Sequence, residues 1–142
     1  MRRPTFDADG SDGSTYAPWH LWDRGHDPIL PHSPRYVLSL DVEWAFALTG
    51  VDEQGYYTVG LPPPGHYMNG EGLAHIAMSA LIEAGLRGDE LTSNCEADAC
   101  ILEGHALDDV AKASTVLSDT FRLRTAFHRA VLCARGDGRE DA

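Results

Sequence analysis

The chain has 142 residues, with 22 acidic and 11 basic side chains, 7 histidines and 3 cysteines. That length suits one domain, and the net charge of -11 argues against non-specific binding of DNA, RNA or an anionic membrane, which requires clustered Lys and Arg. No apolar run reaches the roughly 18 residues of a bilayer span.

Residues 1–34 differ from the rest. Pro4, Pro18, Pro28, Pro31 and Pro34 are interspersed with Gly, Ser and Asp, which disfavours a long helix or a central strand. Phe6, Tyr16, Trp19, Trp22, Ile29 and Leu30 keep the segment from the composition of a disordered tail. The expectation is a partly flexible N-terminal arm that drapes over the core from about Trp19. Met1 to Gly10 holds two arginines and no apolar stretch after them, unlike a secretory signal peptide.

A single domain is expected over 35–135. From Tyr36 to Phe46, Leu38, Leu40, Val42, Trp44 and Phe46 alternate with Ser39, Asp41 and Glu43, the period of a half-buried strand. Turn residues at 49–55 lead to Tyr56–Val59, which reads as the second strand of a hairpin. Pro62-Pro63-Pro64-Gly65 is a stiff connector. Asn69 is a good N-cap, and Leu73, Ile76, Ala77, Ala80, Leu81 and Ala84 share one face, so a helix is predicted near 69–84 with Gly85 as its left-handed C-terminal residue. Leu91–Cys95 and Ala99–Glu103 read as short strands around Glu96-Ala97-Asp98, and Gly104 ends them. From Ala106, Leu107, Val110, Ala111, Ser114, Leu117 and Phe121 form one helical stripe, and Leu123, Ala126, Phe127, Ala130 and Val131 form another. No Gly or Pro marks a break near Ser118–Thr120, which leaves one helix or two open. Residues 136–142 are a polar tail. The fold class is therefore α+β: an antiparallel sheet from two hairpins, with helices packed on one face.

The charge is uneven. Residues 36–110 carry thirteen acids and one base, Arg87. Such a run is either a solvated, solubilising face or a surface complementary to a basic partner. Acids flanking the strands and the first helix are the candidate partner-binding residues: Glu43, Asp52, Glu53, Glu71, Asp89, Glu90, Glu96 and Asp98.

Motifs for catalysis are sparse. His66, Glu71 and His75 could serve a small metal-dependent or acid–base enzyme, since Glu71 and His75 share a helix face. No third and fourth ligands complete a metal motif, so an exposed Glu/His pair is favoured, with no metal or cofactor expected. His20, His26 and His32 lie in the Pro-rich arm without fixed geometry. A nucleophile elbow, a phosphate loop and a dinucleotide turn are all missing. Cys95, Cys100 and Cys133 lack zinc-clamp spacing and read as buried or half-buried thiols in a reducing cytosol. Trp44 is assigned to the core. Trp19 and Trp22 either anchor the arm or contact a partner, which leaves a protein–protein adaptor as a third reading. Ten arginines against the single Lys112 suggest a GC-rich bacterial gene.

The segment Gly65-His66-Tyr67-Met68-Asn69-Gly70-Glu71-Gly72-Leu73-Ala74 resembles a feature of small bacterial immunity proteins of polymorphic, contact-dependent toxin systems. In one such family a similar Asn-Gly turn opens the first helix, followed by a short hairpin and a further helix. The resemblance covers about residues 36–132. It implies a cytoplasmic bacterial protein that is not an enzyme and that neutralises a cognate toxin domain by binding it. The acidic middle agrees with a basic, nuclease-like toxin.

Overall fold

In the computed structural model, which describes residues 1–25, 28–30, 32–41, 56–57, 66–67, 70–86 and 90–136, the alternation beginning at Tyr36 is an inner strand of an antiparallel sheet. The strands are β1 (His20–Asp23), β2 (Tyr36–Asp41), β3 (Tyr56–Tyr57), β4 (His66–Tyr67), β5 (Leu91–Ser93) and β6 (Ala99–Gly104). The helices are α1 (Gly70–Glu83), α2 (Leu107–Arg122) and α3 (Arg124–Gly136). Four strands form the main sheet in the order β1-β2-β6-β5, and every neighbouring pair is antiparallel. The helices pack on one face, so the chain is α+β.

Period-two alternation decides which side chains meet the helices. Leu21, Leu38 and Leu102 lie side by side across β1, β2 and β6, and Leu40 lies opposite Cys100. All five are buried. Helices α1 and α2 cover this face, and α3 packs against both helices.

One expected pairing differs. The strand that starts at Tyr36 does not form a hairpin with Tyr56–Val59. Both edges of β2 are occupied, by β1 and β6, so Tyr56–Tyr57 pairs instead with His66–Tyr67 in a separate two-stranded sheet. Residues 42–46, including Trp44, and Thr58–Val59 lie outside the described residues.

The Pro-rich segment supplies β1 itself. Residues 10–12 line its outer side, where the Asp12 N–H donates to the Leu21 carbonyl at 2.9 Å and the Asp23 N–H to the Gly10 carbonyl at 2.7 Å. Gly10 makes the approach possible: its φ is +85°, and a Cβ there would stand 2.2 Å from the Asp23 carbonyl oxygen. Buried Asp12 organises the preceding turn, accepting from the Thr5 N–H at 2.8 Å, the Thr15 N–H at 3.2 Å and the Thr15 hydroxyl at 2.9 Å. Tyr16 and Trp19 are buried, and Trp19 meets Phe121 of α2 edge-on with ring centroids 5.1 Å apart. The arm is thus tied to α2, where the Ser118 hydroxyl also donates to the Ala17 carbonyl at 2.8 Å.

Helix α1 buries Leu73, Ile76, Ala77, Ala80 and Leu81, while Ala84, expected on that face, is exposed. It ends as predicted at Gly85, whose φ is +87°. The Leu86 N–H reaches the Leu81 carbonyl at 2.9 Å and the Gly85 N–H reaches Ile82 at 3.0 Å, the two bonds of a Schellman motif. Asn69 lies outside the described residues. The two C-terminal stripes are two helices, and they part at Leu123, whose backbone is extended (φ -107°, ψ 118°). That single residue turns the chain so that Phe121 and Phe127 pack edge-on at 5.0 Å.

Candidate functional site

The β5–β6 hairpin and the start of α1 meet at one end of the sheet. Glu96 and Asp98 are exposed on the hairpin turn, and Glu71 is exposed in the first turn of α1. Glu71 lies close enough to Cys95 to act on its thiol electrostatically. Asp41, at the end of β2, pairs with Ala99 at the same end. Three of the predicted partner-binding acids, Glu71, Glu96 and Asp98, are therefore brought together, and none of the three has an ion-pair partner among the described residues.

Glu90 is not part of this group. It precedes Leu91, which pairs with Gly104 at the opposite end of the hairpin, about 17 Å from the turn at roughly 3.4 Å per residue. Glu43, Asp52, Glu53 and Asp89 lie outside the described residues.

Some acids elsewhere are paired with arginines that come from outside the acidic stretch. Arg24 pairs with Glu103 at 2.7 Å, Arg3 with Asp108 at 2.8 Å, and Arg129 with Glu83 at 2.5 Å. Arg35 grips Asp23 with two bonds, at 2.7 and 3.0 Å. The Arg35 hydrogen bonds hold the Asp23 carboxyl below its ordinary range, against the opposing effect of burial. At Asp119, hydrogen bonding and charge from Arg2 and Arg122 outweigh desolvation and lower its pKa.

The same hairpin brings two cysteines together. Asn94 donates to the Ile101 carbonyl at 2.8 Å and Glu96 to the Ala99 carbonyl at 2.9 Å, so Cys95 and Cys100 face each other between these bonds. Their sulfurs are 3.5 Å apart. Cys100 is fully buried and Cys95 half-buried. The Cys95 Sγ also accepts the Ile101 N–H at 3.3 Å and the Ser93 hydroxyl at 3.6 Å. Donation from the Cys100 S–H is the largest influence on Cys95; burial opposes it, the Ser93 and Ile101 donors add to it, and Glu71 opposes it. The outcome is a Cys95 pKa lowered to about 6. Cys100, buried and acting as the donor, is pushed up and keeps its proton. Sequence reasoning treats these thiols separately. The signal is present in the spacing: Ala97-Asp98 is the turn, and 95 and 100 are equidistant from it.

The remaining candidates separate. Glu71 and His75 lie one turn apart on α1, and no hydrogen bond or ion pair joins them. His66 lies in β4. Among the described residues no group of three or more His, Cys, Asp or Glu is placed to hold a metal ion. Trp19 is core, whereas Trp22 is 37 % exposed and stacks on His20 with ring centroids 4.3 Å apart. Among the described residues no helix is long and apolar enough to cross a membrane. Comparison with family models, curated proteins and solved structures finds no match.

Proposed function

We propose that this protein is an immunity-type inhibitor that binds a cognate bacterial toxin domain of basic, nuclease-like character and blocks it, without catalysis of its own. The observation that carries the reading is the uncompensated acidic end. Glu71, Glu96 and Asp98 stand exposed and, among the described residues, without ion pairs, while Glu103, Asp23, Asp108 and Glu83 are each paired with an arginine. Exposed charge of one sign steers a complementary partner and raises its association rate. Paired charges contribute little to such a field at a distance.

The test reads the reading frame adjacent to this gene, which is expected to encode a basic toxin domain, and measures binding to that domain. A variant carrying Glu71→Lys, Glu96→Lys and Asp98→Lys is expected to associate at least tenfold more slowly at low salt, within the range known for electrostatic steering. Its rate is also expected to depend less on ionic strength, while the dissociation rate changes little. Unchanged association by the triple variant sinks the electrostatic part of the reading. Failure of the wild-type protein to bind or inhibit that domain sinks the whole.

A further inference from the structure

Cys95 and Cys100 occupy a cross-strand position between two ladder bonds, where facing Cα atoms stand about 4.5 Å apart. That spacing lies inside the roughly 4.4–6.8 Å range a disulfide spans. The sulfurs, already 3.5 Å apart, need to close by about 1.5 Å to reach the S–S bond length. Both side chains point to the same face of the hairpin, and the register of β5 on β6 fixes them there. The two thiols also differ in access. Cys95 is half-buried and accepts from the Ile101 N–H and the Ser93 hydroxyl; Cys100 is fully buried. An attacking sulfur must be reachable and a resolving sulfur must be adjacent, and this pair divides the two requirements.

We propose that Cys95 and Cys100 form a redox-active dithiol that reacts with a neutral hydroperoxide, Cys95 attacking and Cys100 resolving. The surroundings select the oxidant. Glu71 from α1, Glu96 and Asp98 from the turn and Asp41 from the end of β2 are acidic, and His75, half-buried one turn into α1, is the other titratable group on that helix near the site. An anionic oxidant such as a glutathione-type disulfide is repelled; hydrogen peroxide is not. The Cys95 thiolate attacks the peroxide, forming an S–O bond and breaking the O–O bond, and the hydroxide released takes a proton to become water. Cys100 then attacks the resulting sulfenic sulfur. An S–S bond forms, the S–O bond breaks, and the second oxygen leaves as water with the Cys100 proton. One peroxide is reduced to two waters as the dithiol loses two electrons. The lowered pKa of Cys95, about 6, supplies thiolate at neutral pH. This chemistry is independent of any toxin.

The test treats the reduced full-length chain with hydrogen peroxide, alkylates the remaining thiols and maps the peptides. Before alkylation the expected product is 2 Da lighter; after it, Cys95 is linked to Cys100 and Cys133 alone is alkylated. In Cys100→Ser the reaction is expected to stop at a Cys95 sulfenic acid that dimedone traps. In wild type the rate is expected to fall about fourfold from pH 7.5 to 5.5, as against about ninetyfold for a thiol with the ordinary pKa near 8.5. Oxidised glutathione at equal concentration is expected to react more slowly than peroxide and to speed up with added salt. A linkage involving Cys133, full alkylation of Cys95 and Cys100 after peroxide, or the ordinary pH profile overturns the proposal. The wild-type peptide map decides the linkage even if a variant fails to fold.

Discussion

Replacing Trp19 with alanine tests whether the Pro-rich N-terminal segment belongs to the cooperative core. Trp19 is 2 % exposed and meets Phe121 edge-on. Removing a buried Trp or Phe ring costs about 3–5 kcal/mol, of which the edge-on aromatic contact supplies about 0.5–1.5 kcal/mol. A domain of this kind holds only about 5–15 kcal/mol in total. With a urea slope near 2 kcal/mol/M, a loss of about 4 kcal/mol lowers the midpoint by about 2 M. The assay is urea unfolding followed by far-UV circular dichroism, because Trp19 is itself a fluorophore. Trp19→Phe separates packing from polarity. The Trp19 Nε1–H is buried and has no acceptor among the described residues, and a buried unmet donor costs about 1–3 kcal/mol. Phenylalanine removes that donor and keeps a ring against Phe121, so it is expected to cost under about 1.5 kcal/mol, in the range of conservative core changes. If Trp19→Ala shifts the midpoint no more than an exposed substitution does, about 0.5 kcal/mol or less, the segment is not part of the cooperative unit.

Gly104→Ala places a methyl 2.6 Å from Val110 Cγ2, 2.9 Å from Leu91 Cδ2 and 3.1 Å from the Glu90 carbonyl. It is expected to cost about 1–3 kcal/mol by overpacking, and adding Val110→Ala is expected to cost less than the sum of the two changes; strict additivity in thermal melts refutes the clash. Asp12→Ala strips three hydrogen bonds from the N-terminal turn and is expected to destabilise by about 2–4 kcal/mol, a few charge-assisted bonds' worth, with Asp12→Asn intermediate; equal losses for the two variants in urea titrations count against the hydrogen-bond account. Arg35 lowers the Asp23 pKa, so its stabilisation is full above the unfolded carboxylate pKa near 4 and is lost as pH falls through the lower folded value. Urea midpoints of wild type and Arg35→Ala are therefore expected to differ by a constant amount near neutrality and to converge below about pH 4; a difference that persists undiminished at pH 2 contradicts the pairing.

Local chemistry is legible in the sequence, and long-range pairing is not. Gly85 can be read as the end of α1 because a glycine directly after an apolar helical stripe suits the left-handed position that closes a helix. The hairpin around Ala97-Asp98 and the stripe from Leu107 to Phe121 are likewise set by spacing within a dozen residues. Which strand lies beside Tyr36–Asp41 is a different kind of fact. It depends on Leu21 meeting Leu38 across the chain segment between them, and nothing in the local pattern of His20–Asp23, with an exposed Trp22 and a polar Asp23, distinguishes a sheet strand from a packed arm. The break at Leu123 is hidden for a related reason. An extended residue needs no Gly or Pro when packing on both sides, here Phe121 against Phe127, rewards the turn. The acids are chosen by their position along the chain, which does not reveal the end of the sheet to which each strand delivers them.

Charge shows that difference most clearly. Between residues 36 and 110 the sequence is almost without bases, which suggests one broad acidic surface. Folding brings in arginines from outside that stretch: Arg3 and Arg24 from the N-terminal segment and Arg129 from α3 settle on Asp108, Glu103 and Glu83. Such exposed pairs add little stability, but they cancel field. A partner approaching from beyond a Debye length of about 8 Å meets the Arg35–Asp23 and Arg24–Glu103 pairs at one end of the sheet and, at the other, Glu71, Glu96 and Asp98, which have no ion pair among the described residues. On the proposed reading, the N-terminal segment helps to define where the acidic surface lies. Removing Arg3, Arg24 and Arg35 together is expected to blur that asymmetry and to raise non-productive encounters with a basic partner. Steering thus depends on where the arginines are placed as much as on how many acids the chain carries.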